Sequence, residues 1–431
     1  MNVGEADDPS AKPDPQPLWP STHGPEFSGG NEVQLLRGGD ALFPAQIAAI
    51  LAARHEVWLA TYIFHNDVAA QQTVRALRAA ALRGVRVRVV VDGFGSKQCL
   101  DWLGAQLEGS GVALAVFRPI DRWWRWLQPG QLRRLHQKMC TVDGEVAFVG
   151  GINVIDDKHD LSHGWCEQPR LDFAVELRGP LAQAVQSATR AMWARAHLGH
   201  GWRDEVRSLA SSAAPVAQTF QLLRRLRLVS QDEDADDELR PVRAAFIVRD
   251  NLRQRRAIER SYIDAIRAAR TRVDLAVPYF YPGRAFMRAL RQASHRGVQV
   301  RLLLQGMVDY RIAAEAARAL YEQLCADGVR IFEYPPAYLH ATVAVVDDDW
   351  ATVGSSNIDP LSLLLNLEAN LVVHDVDFAR SLAAALEVAF AASTEVLNPT
   401  MQRGWRGLLR RGAVAWIANL YLRVAGVTGR Y

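Results

Sequence analysis

Two stretches of this chain repeat one another in order and spacing, and that duplication restricts the fold more than any other feature. Residues 57–64 (Val-Trp-Leu-Ala-Thr-Tyr-Ile-Phe) are an apolar, β-rich run. A helical Ala/Leu/Arg pattern follows over about 69–83, then Gly-Val-Arg-Val-Arg-Val-Val-Val at 84–91. The same unit returns as Val-Asp-Leu-Ala-Val-Pro-Tyr-Phe at 273–280, a helical pattern over about 284–295, and Gly-Val-Gln-Val-Arg-Leu-Leu-Leu at 297–304. Each copy predicts strand–helix–strand with a parallel pair and a right-handed crossover. The glycine suits the residue just past a helix end, and the alternation after it suits a sheet strand.

The repeat continues downstream. His136, Asp143 and Asn153 recur as His340, Asp347 and Asn357, each 204 residues later. A shared offset at three positions argues for two homologous halves about a pseudo-two-fold axis, and 431 residues accommodate two units of roughly 200. The expected fold class is α/β: two α/β/α sandwich halves with mixed sheets. Residues 1–30, polar and proline-bearing without a signal-peptide pattern, read as a disordered tail. The first half spans 31–205 and the second 241–398. Between them, 206–240 reads as a linker carrying the acidic run that starts at Asp232. A helix over about 253–270 corresponds to one over 44–54 that opens the first half.

Composition removes several function classes. A net charge of +3 is too small for the basic groove of a nucleic-acid binder. Four scattered cysteines without a Cys-x-x-Cys pair read as reduced thiols of a cytoplasm-facing protein. No metal-ligand spacing appears, so neither metal nor cofactor is expected. No run of about 18 apolar residues predicts a membrane-spanning helix.

His136 and Lys138 share one face of a predicted strand, which turns at Asp143-Gly144 into a second strand. Asp143 has the other parity, so a turn-forming role stands beside a chemical one. A lone His-x-Lys is commonly incidental; here the histidine recurs as His340, and both copies lead into a Gly-Gly/Ser-x-Asn turn. Two imidazoles across a symmetry axis suit double displacement at phosphorus, one attacking and the other exchanging protons with leaving and incoming oxygens. Lys138, Asn153 and Asn357 supply donors for phosphoryl oxygens. Asp172 and Glu368 occupy matching apolar runs after the Asn turns. There an unpaired carboxylate is costly, so each is expected to orient a histidine, with a structural salt bridge as the alternative.

These residues resemble the HKD signature of the phospholipase D superfamily (His-x-Lys-x4-Asp, then Gly-Gly/Ser-x-Asn), present in two copies. Within it the chain resembles bacterial cardiolipin synthases of the peripheral type, through Val-Gly-Gly-Ile-Asn-Val at 149–154, Arg-Asp-Asn-Leu-Arg at 249–253 and Gly-Ser-Ser-Asn-Ile-Asp-Pro-Leu-Ser-Leu at 354–363. The resemblance implies that His136, Lys138, Asp143, His340 and Asp347 are catalytic. It implies His136 as nucleophile on phosphatidylglycerol and His340 as acid–base, leading to cardiolipin; from the residues alone the two roles are interchangeable. It also implies anionic phospholipid partners, a peripheral place on the cytoplasmic face of the bacterial inner membrane, and a complete site within one monomer. Hydrolysis to phosphatidic acid is the alternative reaction.

The second motif departs from the signature: Thr342 stands where lysine is expected. Losing one charge-assisted donor costs about 1.5–3 kcal/mol, and loss of a donor that acts at a transition state costs about 10²–10³ in rate. The threonine hydroxyl remains a candidate neutral donor to phosphate. A slowed enzyme, an arginine supplied from elsewhere, a lesion, or an anionic-lipid binder without turnover are all compatible. Retained chemistry is the expectation, because His340, Asp347, Asn357 and Glu368 persist. For membrane contact, Arg-Trp-Trp-Arg-Trp at 122–126 mixes cations with interfacial indoles, and 399–431 contains an amphipathic pattern. The competing readings are a core-capping loop and a helix packed on the protein's own surface.

Overall fold

In the computed structural model the described residues are 26–119, 133–161, 163–198, 242–249, 256–307, 311–359 and 366–397. Residues 1–25, the expected linker, the Trp-rich segment at 122–126 and the C-terminal amphipathic segment lie outside them.

The first half contains β1 (Ser28–Arg37), α1 (Gly38–Ala52), β2 (Glu56–Thr61), α2 (Val68–Leu82), β3 (Arg86–Asp92), α3 (Leu100–Leu107) and β4 (Ala113–Phe117). It continues through β5 (Lys138–Val142), β6 (Val146–Gly150), the small hairpin β7 (His159–Asp160) and β8 (Gly164–Trp165), then β9 (Phe173–Arg178) and α4 (Pro180–Leu198). The second half contains β10 (Val242–Arg249), α5 (Ala257–Ala268), β11 (Arg272–Ala276), α6 (Arg284–His295), β12 (Gln299–Gln305), α7 (Arg311–Ala326) and β13 (Arg330–Tyr334). β14 (Val343–Val346), β15 (Trp350–Gly354), β16 (Glu368–His374), α8 (Val376–Ala391) and β17 (Thr394–Glu395) complete it.

The sheet states the duplication directly. From the middle outward one side runs β1-β9-β6-β5-β2-β3-β4 and the other β10-β16-β15-β14-β11-β12-β13, with β17 added at the edge. The repeated units are parallel pairs, β2 with β3 and β11 with β12. The fold is α/β as expected, with one difference. Rather than two separate sheets, the halves share one 15-stranded sheet, because β1 and β10 pair antiparallel. That pairing satisfies backbone groups that two separate sheets would leave on open edges. β1 starts at Ser28, so the last residues assigned to the tail from sequence belong to the sheet.

Alternate residues feed opposite cores, as period-2 strands require. Val57 and Leu59, and Val87, Val89 and Val91, face α1–α3, whereas Ala60 and Val90 face a central core with α4. The second half repeats this with α5–α7 on one face. The central core is continuous across both halves and includes α4, α8 and four leucines, Leu135, Leu171, Leu339 and Leu367. Helix α1 begins before Pro44, which the sequence reading took as its start. Its amino end is held from outside: Gly39 N–H donates to Asp157 Oδ2 (2.5 Å), supplying a cap that local sequence lacks.

Both signature aspartates sit at the turn end of their strands with left-handed φ, 54° at Asp143 and 51° at Asp347. Asp143 accepts backbone N–H bonds from Arg54, His55 and Glu56 (2.8–2.9 Å). Asp347 accepts from the N–H groups of Arg270, Thr271 and Arg272 and from the Thr271 hydroxyl. These bonds give both aspartates the turn-holding role that stood beside the chemical one. Seven residues of extended chain put Asp143 about 20 Å from His136, and its carboxylate ties the entry of β2 to the β5–β6 turn. Partial burial alone would raise the Asp143 and Asp347 pKa values, but the bonds they accept carry both below the usual range. A depressed carboxylate pKa contributes stability above the unfolded pKa and loses it as pH falls through the folded one. Asp143→Ala is therefore expected to lower unfolding free energy by about 1–3 kcal/mol at neutral pH, a difference that shrinks on acidification. Denaturant unfolding across pH checks this, and an unchanged midpoint contradicts it.

Candidate active site

The histidines lie where the halves exchange backbone. His136 N–H donates to Leu367 O (3.0 Å) and Leu367 N–H to Arg134 O (2.8 Å). Symmetrically, His340 N–H donates to Leu171 O and Leu171 N–H to Tyr338 O, both 2.9 Å. Each histidine strand thus forms a short parallel bridge with the segment that leads into the other half's carboxylate.

The carboxylates consequently cross over. His136 Nδ1 is 2.9 Å from Glu368 Oε2, and His340 Nδ1 is 2.6 Å from Asp172 Oδ2. Asp172 and Glu368 are buried, 2% and 0% exposed, so neither charge is solvated and each needs its partner. Glu368 also accepts from the Ser355 hydroxyl (2.6 Å), and Asp172 Oδ1 from the Phe173 N–H (2.8 Å). A proton on Nδ1 that donates to a carboxylate leaves Nε2 with its lone pair outward, the tautomer a nucleophile or base needs. His136 is further held edge-on to Tyr62, ring centroids 5.1 Å apart.

Around this pair the halves differ. Lys138 is buried; its Nζ donates to His136 O (2.8 Å) and lies 5.6 Å from the Tyr62 ring centroid. Burial pulls its pKa down to about 8, against the pull of Glu368, Asp172 and Asp92. Thr342, at the matching place, turns its hydroxyl to Gly354 O, so its one proton is committed within the sheet. Burial lowers the His340 pKa, opposed by Asp172 and reinforced by Lys138 and Arg170. Arg170, two residues before Asp172, is thus a cation within electrostatic reach of both His340 and Lys138.

Asn153 and Asn357 are both buried in the turns after β6 and β15. Asn153 Oδ1 accepts from Ile63 N–H (3.0 Å), fixing the backbone beside Tyr62, while its Nδ2 has no hydrogen-bond partner. Asn357 leaves its Oδ1 unpartnered.

Two positioning residues escaped the sequence reading. Asp92 Oδ2 accepts from Leu135 N–H (2.9 Å), and Gln305 Oε1 from Leu339 N–H (2.6 Å). They fix the backbone immediately before each histidine. The signal was present: each apolar β3-type run ends in a polar residue, Asp92 after three valines and Gln305 after three leucines.

Two carboxylate-backed imidazoles with a buried lysine, assembled on a duplicated α/β/α fold, define a phospholipase-D-type site. A model of the "cardiolipin synthase, PLD-like domain" family matches residues 46–164 and 262–389. Cardiolipin synthase B of Escherichia coli K12 is 35% identical over 395 residues, covering 88% of this chain and 86% of that protein. Cardiolipin synthase A of Pseudomonas entomophila is 32% identical over 366 residues, covering 85% of this chain and 70% of its own. The phosphatidylserine synthase of Haemophilus influenzae shares the fold, with a TM-score of 0.64 at 12% identity over 92% of this chain and 96% of that one.

The chain belongs to the cardiolipin synthase family of the phospholipase D superfamily. It is a phosphatidyltransferase of phospholipid metabolism. Among the described residues no helix is long and apolar enough to cross a membrane.

Lys138 gives a pH test. A cation whose pKa is lowered loses its charge earlier as pH rises, so sulfate binding is expected to weaken through about pH 8 rather than near the ordinary lysine value of about 10.4. Lys138→Arg should move that limb upward. Calorimetric titration with sulfate between pH 7 and 10 measures it; constant affinity across the interval contradicts the assignment.

Proposed function

We propose that the chain makes cardiolipin from two phosphatidylglycerol molecules, releasing glycerol. The observation that carries the reading is the crossed pairing: each imidazole takes its buried carboxylate from the other half, so both are fixed as Nδ1–H tautomers around one phosphodiester. His136 Nε2 attacks phosphorus, and the P–O bond to the departing glycerol breaks as a P–N bond forms. His340 gives that glycerol oxygen its proton. The hydroxyl of a second phosphatidylglycerol then attacks phosphorus, His340 takes its proton, and the P–N bond breaks.

The asymmetry of the halves supports this allocation of roles. Lys138 adjoins His136, and His136 is the less exposed imidazole, 12% against 27% for His340. The attacked phosphate belongs beside the lysine, and proton exchange with a diffusing alcohol belongs at the more open histidine. The acid step needs His340 protonated; a bound phosphodiester anion raises its pKa toward that state. Lys138 and Asn153 Nδ2 then serve as phosphoryl-oxygen donors, with Asn357 near them. Arg170 supplies positive field where Thr342 offers none. Asp172 and Glu368 orient the imidazoles and stabilise their charged forms.

Purified protein with radiolabelled phosphatidylglycerol vesicles is expected to yield cardiolipin and glycerol. Acid-quenched wild-type protein should carry a phosphatidyl adduct on His136, seen by mass spectrometry; His136→Ala should form none, and His340→Ala should lose turnover. Phosphatidic acid as the main product would make the protein a hydrolase. Vesicle binding without product would make it an anionic-lipid binder. An adduct on His340 would exchange the two roles.

A further inference from the structure

Between the start of α2 and β7, three side chains from two distant segments converge. His65 and Asp67 lie between β2 and α2, and His159 opens β7. One ligand atom from each lies within 4.8 Å of the others. The imidazoles of His65 and His159 face each other with centroids 4.4 Å apart. Nδ1 of each ring is buried without a hydrogen-bond partner. His65 Nδ1 is 3.4 Å from Asp67 Oδ2. That spacing equals the ligand-to-ligand edge of a tetrahedral ion with bonds of about 2.0–2.1 Å.

The frame holding these groups is rigid for reasons of its own. Phe64 bridges to Val154, and His65 N–H donates to Val154 O (2.9 Å). Asp67 is buried; its Oδ1 caps α2 through Ala70 N–H (3.0 Å), and its Oδ2 accepts from Asp156 N–H (2.8 Å). A carboxylate has about four lone-pair sites, so these two bonds leave it able to take a cation. Two ring nitrogens without a hydrogen-bond partner, on adjacent imidazoles beside a buried carboxylate, are what a soft-to-borderline cation satisfies. Imidazole nitrogens select zinc-class ions over magnesium or calcium.

We propose that His65, Asp67 and His159 bind one divalent transition-metal ion of the zinc class. Three protein ligands leave one position for water. The ion acts as a clamp between the β2–α2 segment, which carries Tyr62, and the segment after β6, which carries Asn153. It also steadies Arg170, whose guanidinium donates to His159 O (2.5 Å). Sequence spacing misses the site because His159 comes from a different segment from His65 and Asp67. The inference stands whichever phospholipid reaction the protein performs.

The test is titration of chelator-stripped full-length protein with Co2+, read by its visible absorption, and competition with Zn2+. The expected result is one saturable site per chain, displaced by Zn2+, together with a higher Tm for the loaded protein. His159→Gln should weaken binding by more than the roughly 10–100-fold typical of losing an outer-shell partner. His163→Gln, at a neighbouring exposed histidine, should leave it unchanged. Absence of a saturable site in the wild type, or equal binding by His159→Gln, overturns the proposal. Should His159→Gln fail to fold, X-ray absorption of the zinc-loaded wild type decides. Two imidazole scatterers support the site, and a sulfur-containing or all-oxygen shell overturns it.

Discussion

The structure depends on an exchange between its halves. Each histidine is presented by one half and held by a buried carboxylate from the other, Glu368 for His136 and Asp172 for His340. A buried carboxylate without a counter-group is costly, and an imidazole without a fixed tautomer is a poor nucleophile. Neither half is complete alone in either respect. The central leucines and the reciprocal backbone bridges keep the exchange dry and in register. The short β1–β10 pairing then makes one sheet of two repeats. Joining the halves and building the active site are one structural event.

Symmetry in the frame coexists with asymmetry in the chemistry. Asp92 and Gln305 hold matching backbone positions, as do Asp143 and Asp347. At the site itself Lys138 corresponds to Thr342 in the repeat, and Gly151 to Ser355. A Cβ at Gly151 would lie 2.3 Å from Asp172 Oδ1, so glycine is required there, whereas Ser355 places a hydroxyl on Glu368. The duplication preserves what positions the imidazoles and relaxes what surrounds them. The first half therefore concentrates the cation, Lys138, where the second has a threonine hydroxyl bonded within the sheet.

Much of this was legible in the sequence because it is local or periodic. The parallel units, the hairpins that present His136 and His340, and the Asn turns follow from alternation, turn residues and a repeated offset. The candidate set of histidines and carboxylates was readable as types. What could not be read was pairing across the axis: nothing in a one-dimensional pattern says that Glu368 serves His136 rather than its own half's histidine. The same limit hid the cap that Asp157 gives α1 and the convergence of His65 with His159. Asp143 and Asp347 show a role that local sequence does carry. Their place in a signature suggested chemistry, while parity and the turn already pointed to the structural role that the left-handed backbone and three captured N–H groups display.

The crossed pairing is tested most directly by proton and nitrogen resonances of the histidine rings in 15N-histidine-labelled protein. A proton held between Nδ1 and a buried carboxylate is strongly deshielded, as befits a charge-assisted bond. Glu368→Gln is predicted to remove or shift that signal for His136 and leave the one for His340 in place, and Asp172→Asn to do the reverse. Loss of the His340 signal in Glu368→Gln, with His136 unaffected, would contradict the account.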